Sequence, residues 1–96
     1  MARYKVTPAA KADLKSIARY TQHKWGRKKR NQYLSALDNR FSWLAEDPQL
    51  GKCRDEIKAG YRSYPEGQHM IFYRVVKGSI EILGVLHQNM DFEKHL

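Results

Sequence analysis

The sequence predicts an α+β domain with the element order β-α-α-β-β-β, a helix hairpin packed on one face of a four-stranded antiparallel sheet. Three observations carry this. Two apolar stripes at helical spacing flank Gly26, which leaves room for only the tightest connection between them. Three β-rich runs follow in the second half, separated by Gly-bearing turns. A short alternating run, RYKVT at 3–7, precedes the helices and suits an opening strand.

The first helix starts at Thr7-Pro8. Threonine can accept from the free N–H groups of a first turn, and proline has no N–H to lose there. Leu14, Ile17, Ala18, Thr21 and Trp25 then recur on one face and predict a buried stripe. Gly26 ends the helix, since glycine takes the left-handed cap conformation without steric cost. The second helix runs through RKKRNQYLSALDNRFSWLAED, with Tyr33, Leu34, Leu37, Phe41 and Leu44 on one face, and Asp47-Pro48 stops it. Two helices joined by one residue fold back on each other and turn their stripes toward a common core.

The sheet covers that core. After a loop, LGKCRDEIKAG, the runs YRSYP, HMIFYRVV and IEILGVLH read as an antiparallel meander. In the middle run the expected inward face is Ile71, Tyr73 and Val75. Met70, Phe72 and Arg74 are expected to face a shallow concavity, because an unpaired buried guanidinium is costly.

Composition sets bounds on function. The 96 residues, 42% of them hydrophobic, make a single domain, 1–96. One cysteine, Cys53, gives no internal disulfide, and scattered histidines give no metal-ligand spacing, so no cofactor or metal is expected. Nothing resembles a secretion signal or an apolar span, so a cytoplasmic protein without membrane attachment is expected. The net charge is +8, and residues 1–30 hold ten basic side chains against one acidic, Asp13. Such a field favours an anionic partner, nucleic acid or acidic protein.

Metal-free RNA cleavage requires a base, an acid and cations for the phosphate. His87, His69, Arg62 and Arg74 are the candidates, but Met70 and Phe72 stand where a phosphate clamp wants basic residues, and His87 is followed by Gln88. The sequence contains no GxGxxG, P-loop, HExxH or nucleophile elbow. The run KWGRKKR at 24–30 gathers five cations around Trp25. It reads either as a phosphate-contacting surface or as a solvated turn whose cations suit the first helix's C-terminus.

The chain resembles the ParE toxins of the RelE/ParE superfamily nearly end to end. The resemblance rests on Thr7 before the helix, Asp13-Leu14, Ile17 and Tyr20, Trp25-Gly26, Tyr33, Leu37 and Phe41, and Leu44-Ala45 with Pro48 and Gly51. It is most specific in RDEIKAGYRSY (54–64), HMIFYRV (69–75) and IEILGVLHQNMD (80–91). It implies a hairpin on a curved antiparallel sheet. RelE-like relatives cut messenger RNA in the ribosomal A site; the position of their mid-strand catalytic Arg is Met70 here, and a His-Tyr ending becomes His87-Gln88. The resemblance therefore implies no enzyme but a poison of DNA gyrase, toxic half of a type II module. The alternative is a ribosome-dependent messenger RNA endonuclease of RelE type.

Two surfaces follow from the resemblance. Lys15, Arg19, Tyr20, Lys24 and Arg62 line the expected path of an acidic, ParD-like antitoxin, forming a toxin–antitoxin hetero-oligomer. Trp25, Arg27, His87, Met90, Asp91, Lys94 and His95 are the expected contacts to gyrase, with DNA reached only through gyrase or the antitoxin complex.

Overall fold

A computed structural model describes residues 3–96. The element order is β1 (Tyr4–Val6), α1 (Pro8–Trp25), α2 (Arg27–Glu46), a 3-10 turn (Pro48–Leu50), β2 (Lys52–Cys53), β3 (Tyr61–Glu66), β4 (His69–Val76), β5 (Ser79–His87) and α3 (Phe92–His95). Thr7 caps α1 as expected: its Oγ1 accepts from Ala10 N–H at 3.2 Å. The same hydroxyl donates to Ile82 O at 3.0 Å, tying the start of α1 to the sheet. Gly26, at φ +93°, is the whole connection between α1 and α2, and its N–H closes on Gln22 O at 2.9 Å. An L-residue is strained at that φ, so glycine makes the hairpin.

The five strands lie in the order β1-β5-β4-β3-β2. The sheet is mixed rather than antiparallel, because β1 runs parallel to β5, with Tyr4 opposite Ile80 and Val6 opposite Ile82. The helix hairpin supplies the crossover that a parallel neighbour needs. A further two-residue strand, β2, sits in the segment read as loop and pairs Lys52 with Ser63 and Cys53 with Arg62.

One core forms between the helices and the sheet. Ala10, Ile17, Leu37, Phe41 and Leu44 pack on Ile71, Tyr73, Ile80, Ile82 and Val85. Fully buried Tyr73 anchors the loop after α2: its hydroxyl donates to Pro48 O at 2.7 Å and accepts from Gly51 N–H at 2.9 Å. A methyl on Gly51 would overlap that hydroxyl.

Three expectations about faces need correction. Val75 is not in the core but 52% exposed, although Ile80 directly across from it on β5 is fully buried, so the helix layer does not reach over this part of β4. Trp25 is 63% exposed rather than part of the buried stripe, since it lies in α1's last turn, beyond the sheet's cover. The concave face is closed over Phe72, which is fully buried under Phe92 of α3 at a ring-centroid distance of 4.8 Å. The Arg54 guanidinium lies 5.9 Å from one of these rings and 5.7 Å from the other. Arg74 is exposed as expected and pairs with Glu81 at 2.9 Å. A bulge between Phe72 and Tyr73 leaves Leu83 without an opposite residue, since Phe72 faces Gly84 and Tyr73 faces Ile82.

Candidate functional site, a groove between the first helix and the last strand

α1 leaves the sheet beside β5 and runs along its outer edge. Asp13, one turn into the helix, accepts from Val85 N–H at 3.0 Å, which fixes the approach. Burial pushes the Asp13 carboxyl up from its usual range, against the lowering effects of that hydrogen bond and of nearby His95. Beyond Asp13 the two elements diverge and enclose an open groove of about 700 Å³.

Ile17, Val85 and Leu86 contribute the groove's apolar lining. Its rim carries Tyr20 and Trp25, both about three-fifths exposed, and Met90, a set of large side chains unusual on an otherwise polar surface. Lys24 stands between the two rings, 5.7 Å from Tyr20 and 5.5 Å from Trp25, and donates to the Tyr20 hydroxyl at 3.2 Å. This rim is therefore aromatic and cationic together, which suits a ligand with both apolar and acidic side chains.

One end of the groove is polar. The Tyr33 hydroxyl donates to Glu66 O and accepts from Gln68 N–H, each at 3.1 Å, and lies 2.6 Å from His69 Nδ1. Burial, and then the charge of His87, lowers the His69 pKa from its ordinary value. His87 lies directly across the strand pair, its ring edge-on to His69 at 5.6 Å, and its Nδ1 accepts from Asn89 N–H at 3.2 Å. Gly67 turns the β3–β4 hairpin at φ +58°, and a methyl there would strike the Tyr33 ring.

The structure unites the two surfaces that the sequence kept apart. Tyr20 and Lys24 from one set, and Trp25, His87 and Met90 from the other, all line this groove. Lys15 and Arg19 lie exposed on α1 outside it, and Arg27 is exposed in the first turn of α2. Arg62 is not with them: it sits on β3, two strands from β5, held by Gly51 O at 2.8 Å and Gln49 Oε1 at 2.9 Å. Asp91 caps α3 by accepting from Glu93 N–H at 3.2 Å, while Lys94 and His95 are exposed on that helix. Sequence reasoning missed Asp13 and Tyr33 as parts of the site. Their only signals were the lone acidic residue in a basic segment and a tyrosine on an apolar stripe.

Among the described residues, no three His, Cys, Asp or Glu side chains lie close enough to hold a metal ion. None of the described helices is long and apolar enough to cross a membrane.

The family model described as the ParE toxin of the type II toxin–antitoxin system, parDE, matches residues 4–92. The chain belongs to the ParE toxin family. It is 41% identical over 95 residues to Toxin ParE1 of Mycobacterium tuberculosis, covering 98% of this chain and 97% of that one. It is 38% identical over 96 residues to Toxin ParE1 of Caulobacter vibrioides, covering 100% and 99%. Among solved structures, a chain of the chromosomal ParDE TA system from P. aeruginosa shares the fold, with a TM-score of 0.75 and 22% identity over 91% of this chain and 96% of that one. A ParE-family fold thus carries the groove, and the residues quoted for the resemblance fall within the matched segment.

Proposed function

We propose that this ParE-family toxin inhibits DNA gyrase, stabilising its cleaved-DNA complex, and that an acidic antitoxin neutralises it by occupying the groove. The observation that carries this reading is the meeting of both expected partner surfaces at Tyr20, Lys24, Trp25, His87 and Met90. One occupant there excludes another, so binding of the antitoxin removes the contacts to the target by direct occlusion. A +8 chain attracts an acidic segment over distance, and the apolar lining then holds it.

The toxin acts by binding rather than by catalysis. Arg62 and Arg74, the cations that a phosphate-cleaving sheet would offer, are engaged by Gly51 and Gln49 and by Glu81. Met70 occupies the strand position where RelE-like relatives carry a catalytic arginine. The test is plasmid supercoiling by purified gyrase with the purified chain added. Supercoiling falls as toxin is titrated in, and charge-reversed Lys24→Glu weakens the effect; undiminished supercoiling at excess toxin refutes the target.

One observation favours a second reading, RNA cleavage of RelE type. His69 faces His87 across the strands at the groove's end, with the rings 5.6 Å apart, and two imidazoles so placed can take and give a proton. This reading expects messenger RNA to be cut on the ribosome and His87→Ala to abolish the cut. Intact message in the presence of the unaltered chain eliminates it.

A further inference from the structure

Lys15 and Arg19 have no part in the groove, and their place on α1 says where they act. Each lies two residues from buried Ile17, about 200° around the helix, so both face directly away from the core. Lys11 and His23 continue the row by one step in either direction, and all four side chains are exposed. With four residues between members, the row rises about 6 Å per step and runs about 18 Å along the helix. It ends near the hairpin tip, where Arg27, Lys28 and Lys29 are exposed as well.

Contacts within the fold do not account for this charge. The ion pairs among the described residues join Arg40 to Glu66, Arg54 to Glu56 and Arg74 to Glu81, so no basic residue before Arg40 takes part. Asp13, the lone acidic residue of α1, is turned to Val85 N–H. The tip cations stand in the first turn of α2, where the helix dipole disfavours positive charge, and that turn holds no acidic residue to offset them. Stability therefore explains neither the row nor the tip.

The chemistry of the face selects its partner. Between the cations stand Ala12 and Gln22, while Tyr20 and Trp25 line the groove on the other side of the helix. Protein interfaces are held at their centre by buried aromatic anchors, and single-stranded nucleic acid by aromatic rings on which bases stack. This face has neither. Duplex DNA is held without them, by cations set against phosphates.

We infer that the outer face of the helix hairpin, from Lys11 through Lys15 and Arg19 to the tip at Arg27–Lys29, docks on the phosphate backbone of duplex DNA without reading its sequence. A duplex carries one charge per ~1.7 Å of its axis, so the stretch under an ~18 Å row offers more phosphates than the row has cations. The groove lies across the helix from this face and stays open, so DNA and a groove occupant bind together. The contact needs neither gyrase nor an antitoxin, and it stands or falls apart from the target reading.

The test is fluorescence anisotropy of a labelled duplex of arbitrary sequence, titrated with the purified chain over a series of salt concentrations. The three row cations with one or two from the tip make four to five phosphate contacts, so log affinity falls against log salt with a slope of about −4, roughly 250-fold between about 50 and 200 mM. Lys15→Ala combined with Arg19→Ala brings the slope to about −2. Lys52→Ala combined with Lys58→Ala removes the same charge at the β2 edge of the sheet, far from α1, and leaves the slope at about −4. Equal losses in the two pairs overturn the assignment to this face, and undetectable binding at low salt overturns the contact itself. Single-stranded DNA bound as tightly as the duplex overturns the choice of ligand. Polyglutamate bound more tightly than the duplex, and lost in the Lys15/Arg19 pair, gives the face to an acidic protein and overturns it too.

Discussion

Replacing Tyr73 by Phe removes a single oxygen from a fully buried side chain whose hydroxyl makes two hydrogen bonds. The ring is fully buried and stays, so the change isolates the hydroxyl. That hydroxyl donates to Pro48 O at 2.7 Å and accepts from Gly51 N–H at 2.9 Å. Without it, two backbone groups lose their partner at a site where Gly51 is itself buried. Leaving a buried polar group unmet costs about 1–3 kcal/mol, and two at the low end of that range sum to roughly 2 kcal/mol. For a domain of this size each kcal/mol lowers Tm by about 4–8 °C, so Tyr73→Phe melts roughly 8–16 °C below the parent. Thermal unfolding followed by circular dichroism measures this, with urea titration checking that the m-value is unchanged. A shift below about 4 °C would refute the argument that Tyr73 locks the loop to the sheet.

Other perturbations probe the remaining contacts. Gly51→Ala places a methyl on the Tyr73 hydroxyl and costs about 1–3 kcal/mol by overpacking, read in the same melt; a neutral result contradicts the close approach. Phe92→Ala uncovers Phe72 and lowers stability by about 1–2 kcal/mol, less than the ~3–5 kcal/mol of a fully buried ring because Phe92 is only half-buried. Stability also depends on pH through His69. Desolvation, then the charge of His87, lowers its folded pKa below the ordinary 6.5, so its contribution is present above that pH and is lost as pH falls through the lowered value. Urea midpoints taken from pH 7.5 to 5 decline for the parent, and the decline is shallower in His69→Gln; parallel profiles would contradict the assignment.

How much of this was legible in the sequence follows from the range over which each signal acts. Thr7 and Gly26 set the helix ends because a cap is decided within three or four residues; Thr7 caps as the sequence predicts, and Gly26 stops α1 at a positive φ but with ψ at 170°, outside the left-handed cap conformation expected of it. The meander was readable for the same reason, since its turns join adjacent strands. The direction of β1 was not, because its partner lies more than seventy residues away and no turn chemistry connects them. Val75 continues the alternation of Ile71 and Tyr73 and still escapes the core, since alternation reports which side a residue faces and not where the opposing helices end. The groove was half legible. Tyr20, Lys24, Trp25, His87 and Met90 were each singled out, but their assembly depends on where α1 crosses β5. The Tyr33–His69–His87 cluster draws on three elements, and only the strand register that sets His69 against His87 makes it visible.

The proposal that this toxin acts on gyrase by binding predicts a specific product. Gyrase and supercoiled plasmid are incubated with the purified chain, the protein is denatured and digested, and the DNA is resolved for breaks. The account predicts that linear DNA accumulates with added toxin and disappears when the antitoxin is added first. Plasmid that stays unbroken at toxin in excess over gyrase would contradict it.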